Sequence, residues 1–284
     1  MFKTVVGKAV LAAAISTSLV ALAPTASAAP APLHGMGAKT GHSHSHRTAP
    51  AAAPARAAAL AAASAPASWT LADYALTPGD QGQVNSCVSW AIAHSAMGLL
   101  ENEQGITGGP NAPMYSYAQL VRGQNVGTWP EDTLDIAYNQ GIDSESDYWQ
   151  GDYDYTTQPT RAQRANAWNW HISGYSNLRT GSGLRTDVQN AISQGNPVIF
   201  SFDVYPSFDK LKGQAARDYS YRPGASEKSV GSHEVTIIGY NSQGVRVENS
   251  WGTGWGDGGF VNLSWSYLTS AVLDAHSVGA LVTS

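Results

Sequence analysis

The stretch that decides the fold runs Gly231-Ser232-His233-Glu234-Val235-Thr236-Ile237-Ile238-Gly239-Tyr240, turns at Asn241-Ser242-Gln243-Gly244, and returns as Val245-Arg246-Val247-Glu248-Asn249-Ser250-Trp251. Val235 to Tyr240 and Gly244 to Trp251 read as two strands around that turn. His233 opens the first, and Asn249 stands near the end of the second, sixteen residues on. Residues that flank one hairpin at similar distances from its turn meet at the same end of the ladder. Asn249 can therefore accept from one imidazole nitrogen and aim the other at a reacting group elsewhere in the chain. Trp251, two residues further, is placed to cover that bond.

Outward from this hairpin, the Gly-rich loop Gly252 to Gly259 leads to a strand at Phe260 to Leu263. Val198, Phe200, Phe202 and Val204 alternate with Ile199, Ser201 and Asp203, which predicts a strand before the hairpin. Earlier still the period changes. Val88, Ala91, Ile92, Ala96, Leu99 and Leu100 keep the three-to-four spacing of one buried helical face, so a helix is expected from about Cys87, capped by Asn85 or Ser86 and stopped at Gly105. Further helices are expected over Glu131 to Gln140, opened by Pro130, and over Thr186 to Gln194. Helices first and largely antiparallel strands second give an α+β class with two lobes, a helical one over about 69–172 and a β one over about 173–284.

The 284 residues divide sharply at Ser68. Five basic residues (Lys3, Lys8, Lys39, Arg47, Arg56) precede Trp69, whereas all 21 acidic residues and all nine Trp follow Ser68. An acidic body lacks the basic footprint of a nucleic-acid binder. Residues 1–28 read as a secretory signal: Lys3 and Lys8, a mostly apolar run from Ala9 to Ala23, then Ala26-Ser27-Ala28 as a small-x-small cleavage site. That run is shorter than the roughly 20 apolar residues a membrane span needs. Residues 29–68, rich in Ala and Pro, read as a disordered linker or a short pro-segment. His42, His44 and His46 within it read as a solvated polar patch. The expected product is a secreted protein with no membrane attachment after signal cleavage.

Export makes the one cysteine informative, because an unpaired cysteine in an oxidising compartment is an intermolecular link or a reactive thiol. At a helix N-terminus, Cys87 faces unsatisfied amides and the positive end of the helix dipole, which favour thiolate. The body offers four histidines as its proton partner. His94 lies two turns along the same helix, ~10 Å by helical rise, and His171 and His276 have no orienting partner in sequence reach. His233 does, in Asn249. Gln81, on the loop entering the helix, can donate to an oxyanion alongside the Cys87 N–H.

These segments carry a family resemblance. Asp80-Gln81-Gly82-Gln83-Val84-Asn85-Ser86-Cys87 resembles the Gln-Gly-x-x-x-Ser-Cys segment of papain-like cysteine peptidases. Gly231 to Val235 is similar to the family's histidine strand, and Glu248 to Gly256 to its asparagine loop. The resemblance implies a papain-like two-lobe fold and peptide-bond hydrolysis through a thioester. It makes Cys87 the nucleophile, His233 the base and later the acid, Asn249 the orienter and Gln81 the oxyanion donor. Gly127 and Thr128 are similar to the family's glycine segment that pairs with an extended substrate, with Thr128 in place of the second glycine. Ser232 and Trp251 join them as substrate-facing residues. Ser232 is small and uncharged, so a tolerant pocket preferring apolar residues is expected.

Two departures stand out. Val84 occupies the place of a second cysteine, and the leader has no room for the family's long helical inhibitory pro-segment, so control is expected to differ, for instance by removal of the Ala/Pro segment. The expected protein is a monomeric secreted endopeptidase, bacterial by its Ala-rich, Lys-poor leader, acting on polypeptides without metal or cofactor. A cell-wall peptide amidase or transpeptidase would use the same triad. A binding module with an unused cleft is the third reading.

Overall fold

The structure is a computed structural model that describes residues 1, 34–41, 50–55, 65–149 and 151–283. Apart from Met1, residues 1–28, expected to be a signal, lie outside the described residues, as do His42, His44 and His46.

Nine strands are found among the described residues: β1 (Trp69–Thr70), β2 (His171–Ile172), β3 (Tyr175–Asn177), β4 (Val198–Val204), β5 (Gly231–Tyr240), β6 (Gly244–Glu248), β7 (Phe260–Ser264), β8 (Val272–Val278) and β9 (Leu281–Val282). Seven of them form one antiparallel sheet in the order β3-β8-β4-β5-β6-β7, with β1 added to β5. The expected hairpin is β5–β6. A register shift between Ile237 and Gly239 marks a bulge near its turn. Strand β8, not expected from the sequence, pairs with β4 and so forms the second long contact of the sheet. One sheet face is packed with Phe200, Phe202, Phe208, Trp251 and Trp255, all buried. Each such side chain removed from water contributes on the order of 2 kcal/mol.

The helix predicted from Cys87 is present but not regular. It runs as α-helix over Cys87–Ser89, as π-helix over Trp90–Met97, and again as α-helix over Gly98–Gln104, ending at Gly105. Ser86 stands at the N-cap but makes no side-chain cap bond. Helices Pro130–Asn139 and Leu184–Ser193 match the other two expectations within two residues, while Pro113–Val121 and Trp265–Ala271 are additional. The helical core packs Val88, Ile92, Met97, Leu100, Tyr115 and Leu134. The lobes are not consecutive blocks of chain. Trp69–Thr70 belongs to the sheet, and β9 returns at the end of the chain to pair with β2.

The leader touches the body at separate places. Pro50 accepts a hydrogen bond from the Tyr175 N–H and Ala53 one from the Ala280 N–H, while Ala52 donates to Ser176 Oγ. The second place of contact is the groove between the lobes.

Candidate active site

Cys87 begins its helix where the helix abuts β5, and it is fully buried. Its sulfur accepts from the backbone N–H groups of Glu234, Val88 and Ala38. His233 and Asn249 come together as the hairpin arithmetic requires, with His233 Nε2 2.7 Å from Asn249 Oδ1. The Ser250 N–H donates to the same Oδ1, which fixes the amide's orientation. Trp251 stacks on the His233 ring at a centroid distance of 4.5 Å and shields the Asn–His bond. Nδ1 of His233 is buried without a hydrogen-bond partner. Gln81 is held by Ser250 Oγ on its oxygen, while its amide nitrogen donates to Val84 O at 2.8 Å and to Met36 O at 3.3 Å.

Met36 belongs to the leader, and its presence here is the main departure from the sequence reading. Residues 34–41 lie across the groove as a strap. Gly35 N donates to Gly82 O, Gly37 N and Ala38 N both donate to Ser232 O, and Lys39 N donates to Thr128 O. Thr128 N returns a bond to Gly37 O, so Ala38 and Thr128 form a short parallel bridge. Thr128, Ser232 and Trp251 thus all meet a chain in the groove, and Gly127 packs closely under Gly37. At its upstream end, His34 stacks on Trp251 at 4.6 Å, and its Nδ1 is 2.7 Å from Asp209 Oδ1. The Trp251 indole N–H donates to Gly35 O.

Two glycines let the strap lie this close. A Cβ on Gly35 would come within 2.3 Å of Val84 O, and one on Gly37 within 2.1 Å of Asn85 O. Gly37 also has φ +124, a conformation that side chains other than glycine's rarely adopt.

The strap changes the electrostatics that the sequence predicts. Desolvation pushes the Cys87 thiol well up, against the amides that favour its anion. Desolvation likewise holds His233 down at about 4; the Asn249 acceptor opposes this, the charge of His34 reinforces it, and Asp209 opposes it. While the groove is covered, Cys87 is therefore a neutral thiol and His233 a neutral imidazole.

The other histidines stand apart from the site. His94 bonds to Thr77 O and packs on Trp90, and His171 bonds to Trp168 O and stacks on that ring. His276, read from sequence as lacking a partner, is buried with its Nε2 3.8 Å from Glu131 Oε1.

Cys87 and an Asn-oriented His233 both lie where a helical lobe meets an antiparallel one. The chain belongs to the papain family of cysteine proteases, whose family model matches residues 66–277. Digestive cysteine proteinase 2 of Homarus americanus is 32% identical over 204 residues, covering 67% of this chain and 58% of the lobster protein. A cathepsin L-like proteinase of Fasciola hepatica is 26% identical over 218 residues, covering 69% of this chain and 59% of its own. The chain therefore spans somewhat under two thirds of these relatives' length. Among solved structures, xylellain, a cysteine protease from Xylella fastidiosa, superposes with a TM-score of 0.73 over 90% of this chain and 100% of its own, at 18% identity. The bromelain protease from Ananas comosus, in complex with the E64 inhibitor, does so at 0.60 over 76% and 99%, at 20% identity. The fold is the α+β papain-like fold.

Proposed function

We propose that this chain is a secreted cysteine endopeptidase of bacterial type, made latent by its own residues 34–41. The 2.7 Å contact between His233 and Asn249, under Trp251 and beside the strand that reaches Cys87, carries the reading. With the groove open and wet, His233 regains its ordinary affinity for a proton and takes the one from Cys87. The thiolate attacks the carbonyl carbon of a peptide bond. The resulting oxyanion is received by the Cys87 N–H and by the Gln81 amide, freed from Met36 O. Collapse passes the His233 proton to the leaving amine and leaves a thioester. Water, deprotonated by His233, then releases the acid and regenerates the thiol.

The strap escapes this chemistry because of what it presents. Its Ala38 N–H faces the sulfur, and its Met36 carbonyl occupies the Gln81 donor. Residues 29–68 are accordingly read as a signal-proximal pro-segment rather than a linker. Secretion follows from the signal-like residues 1–28, and a monomer acting on polypeptides remains the working description. Among the described residues no helix is long and apolar enough to cross a membrane.

The test is Cys87 alkylation against pH, followed by intact mass, in the full chain carrying Gly37→Val to unseat the strap. Fast labelling near pH 5 that His233→Ala abolishes is the expected result. Labelling that follows an ordinary thiol pKa of about 8.5 in both proteins would refute the pair.

A further inference from the structure

Within the helical lobe, two segments far apart in sequence touch the strap. The loop Gln81 to Ser86, which leads into Cys87, meets it at Gly82 O and at the Gln81 amide, and Gly127-Thr128 meets it through the bridge to Ala38. A substrate in the same groove needs these two segments held at one separation, because a misplacement of about 1 Å can cost about a hundredfold in rate. No disulfide can set that separation here. Cys87 is the one cysteine of the chain, and Val84 stands in the place of the family's second.

Asn125 joins them instead. Its Oδ1 accepts from the Asn85 N–H at 2.8 Å, its backbone carbonyl accepts from Asn85 Nδ2 at 3.1 Å, and its Nδ2 donates to Gln83 O at 3.4 Å. Val84 is thus bracketed on both sides. The helix Pro113–Val121 anchors the other end. Its Tyr117 is fully buried, and the Tyr117 hydroxyl reaches Asn125 Oδ1 at 3.0 Å and Val126 O at 2.9 Å. Arg122 and Gly123 follow that helix with φ of 49 and 84, so the chain turns there and Asn125 comes back to Tyr117. With its donors engaged by Asn125, Asn85 turns its acceptors to the groove: Oδ1 takes the Met36 N–H at 3.4 Å, and its carbonyl lies against Gly37.

We infer that Asn125 is a positioning residue for the reaction: an amide clasp, working through Asn85 and Tyr117, that holds the loop carrying Gln81 and Cys87 against the segment that pairs with a bound chain. Asn125 is exposed, so hydrogen bonds rather than packing fix its side chain. A residue of similar size that cannot accept them is free to swing away, and the two segments then drift apart. The inference rests on the peptidase reading for its kinetic test only.

Two measurements decide it. In the first, the full chain with Gly37→Val hydrolyses a fluorogenic peptide, and Asn125→Leu lowers kcat/KM about tenfold. The loss is shared between kcat and KM, since one segment carries Gln81 and Cys87 and the other Thr128. Asn125→Asp keeps both acceptor bonds on Oδ1 and recovers kcat/KM to within about threefold of the parent. An unchanged kcat/KM in Asn125→Leu, or an Asp variant as impaired as the Leu variant, overturns the inference. In the second, hydrogen exchange is followed by NMR in the chain with Gly37 intact. The Thr128 N–H, bonded to Gly37 O, exchanges at least tenfold faster in Asn125→Leu but not in Asn125→Asp, while the amides of β4 and β5 keep their rates. Unchanged exchange at Thr128, or equal acceleration in both variants, sinks the clasp whatever the activity. If the parent cuts no peptide, only the peptidase reading fails, and the exchange rates still decide the clasp.

Discussion

Among the described residues, the leader meets the body at 34–41 and again at 50–55, and these two contacts are of different kinds. Residues 34–41 fit a groove so tightly that a single added Cβ would collide with backbone at Gly35 or Gly37. Residues 50–55 lie along the outer side of β3 and the end of β8, held by a few hydrogen bonds to Tyr175, Ser176 and Ala280. The first stretch reaches Cys87 and Gln81 and lowers the proton affinity of His233. The second only fastens the chain. One leader thus serves occlusion through the Gly-rich run His34 to Gly41 and attachment through the Ala/Pro run Pro50 to Ala55.

Breaking the first contact has the largest expected effect. Gly37→Val combines a forbidden backbone conformation with overpacking, together worth about 3 kcal/mol. The rate of Cys87 labelling at pH 6 in the full chain is therefore expected to rise on the order of a hundredfold. An unchanged rate would mean that the strap does not gate the thiol.

Acid should sharpen the same contrast. Because the covered His233 is held at about 4, below its ordinary value of about 6.5, the covered state loses stability relative to an open one as the pH falls from 6.5 toward 4. Labelling of the unmodified chain should accelerate through that window, with far less pH dependence in Gly37→Val. His34→Ala removes the stack on Trp251, the Asp209 contact and one charge near His233. It is expected to loosen the strap by only about 1 kcal/mol, a few-fold gain in labelling.

The second contact should give the smallest change. Ser176→Ala deletes the acceptor for the Ala52 N–H, at about 1 kcal/mol. A small drop in thermal midpoint with unaltered Cys87 labelling is the expected pattern. Accelerated labelling would show that the two stretches act as one unit.

What was legible in the sequence follows the reach of each interaction. His233, Asn249 and Trp251 were readable because one hairpin brings them together within a short run of chain. The strap was not: nothing in His34-Gly35-Met36-Gly37 names its partners, and Asp209 and Trp251 lie 175 residues from His34 and 216 from Gly35. Strand β8 was hidden for a related reason. Its inward positions Asp274 and His276 are polar, so the apolar alternation that announces a half-buried strand is absent. The π-helical segment Trp90–Met97 keeps the residue spacing of an ordinary helix over one face, and nothing in its composition marks the change.

The anchorage of residues 50–55 has a consequence for how activation ends. While Gly41 and Pro50 belong to one chain, the strap is a tethered ligand, rebinding at an effective concentration of order millimolar. A single cut between them leaves every contact in the groove intact yet turns rebinding into an encounter between separate molecules. In dilute solution that encounter is rare, so such a cut would act as a ratchet: dilution, rather than any weakening of the contacts, would make the opening irreversible.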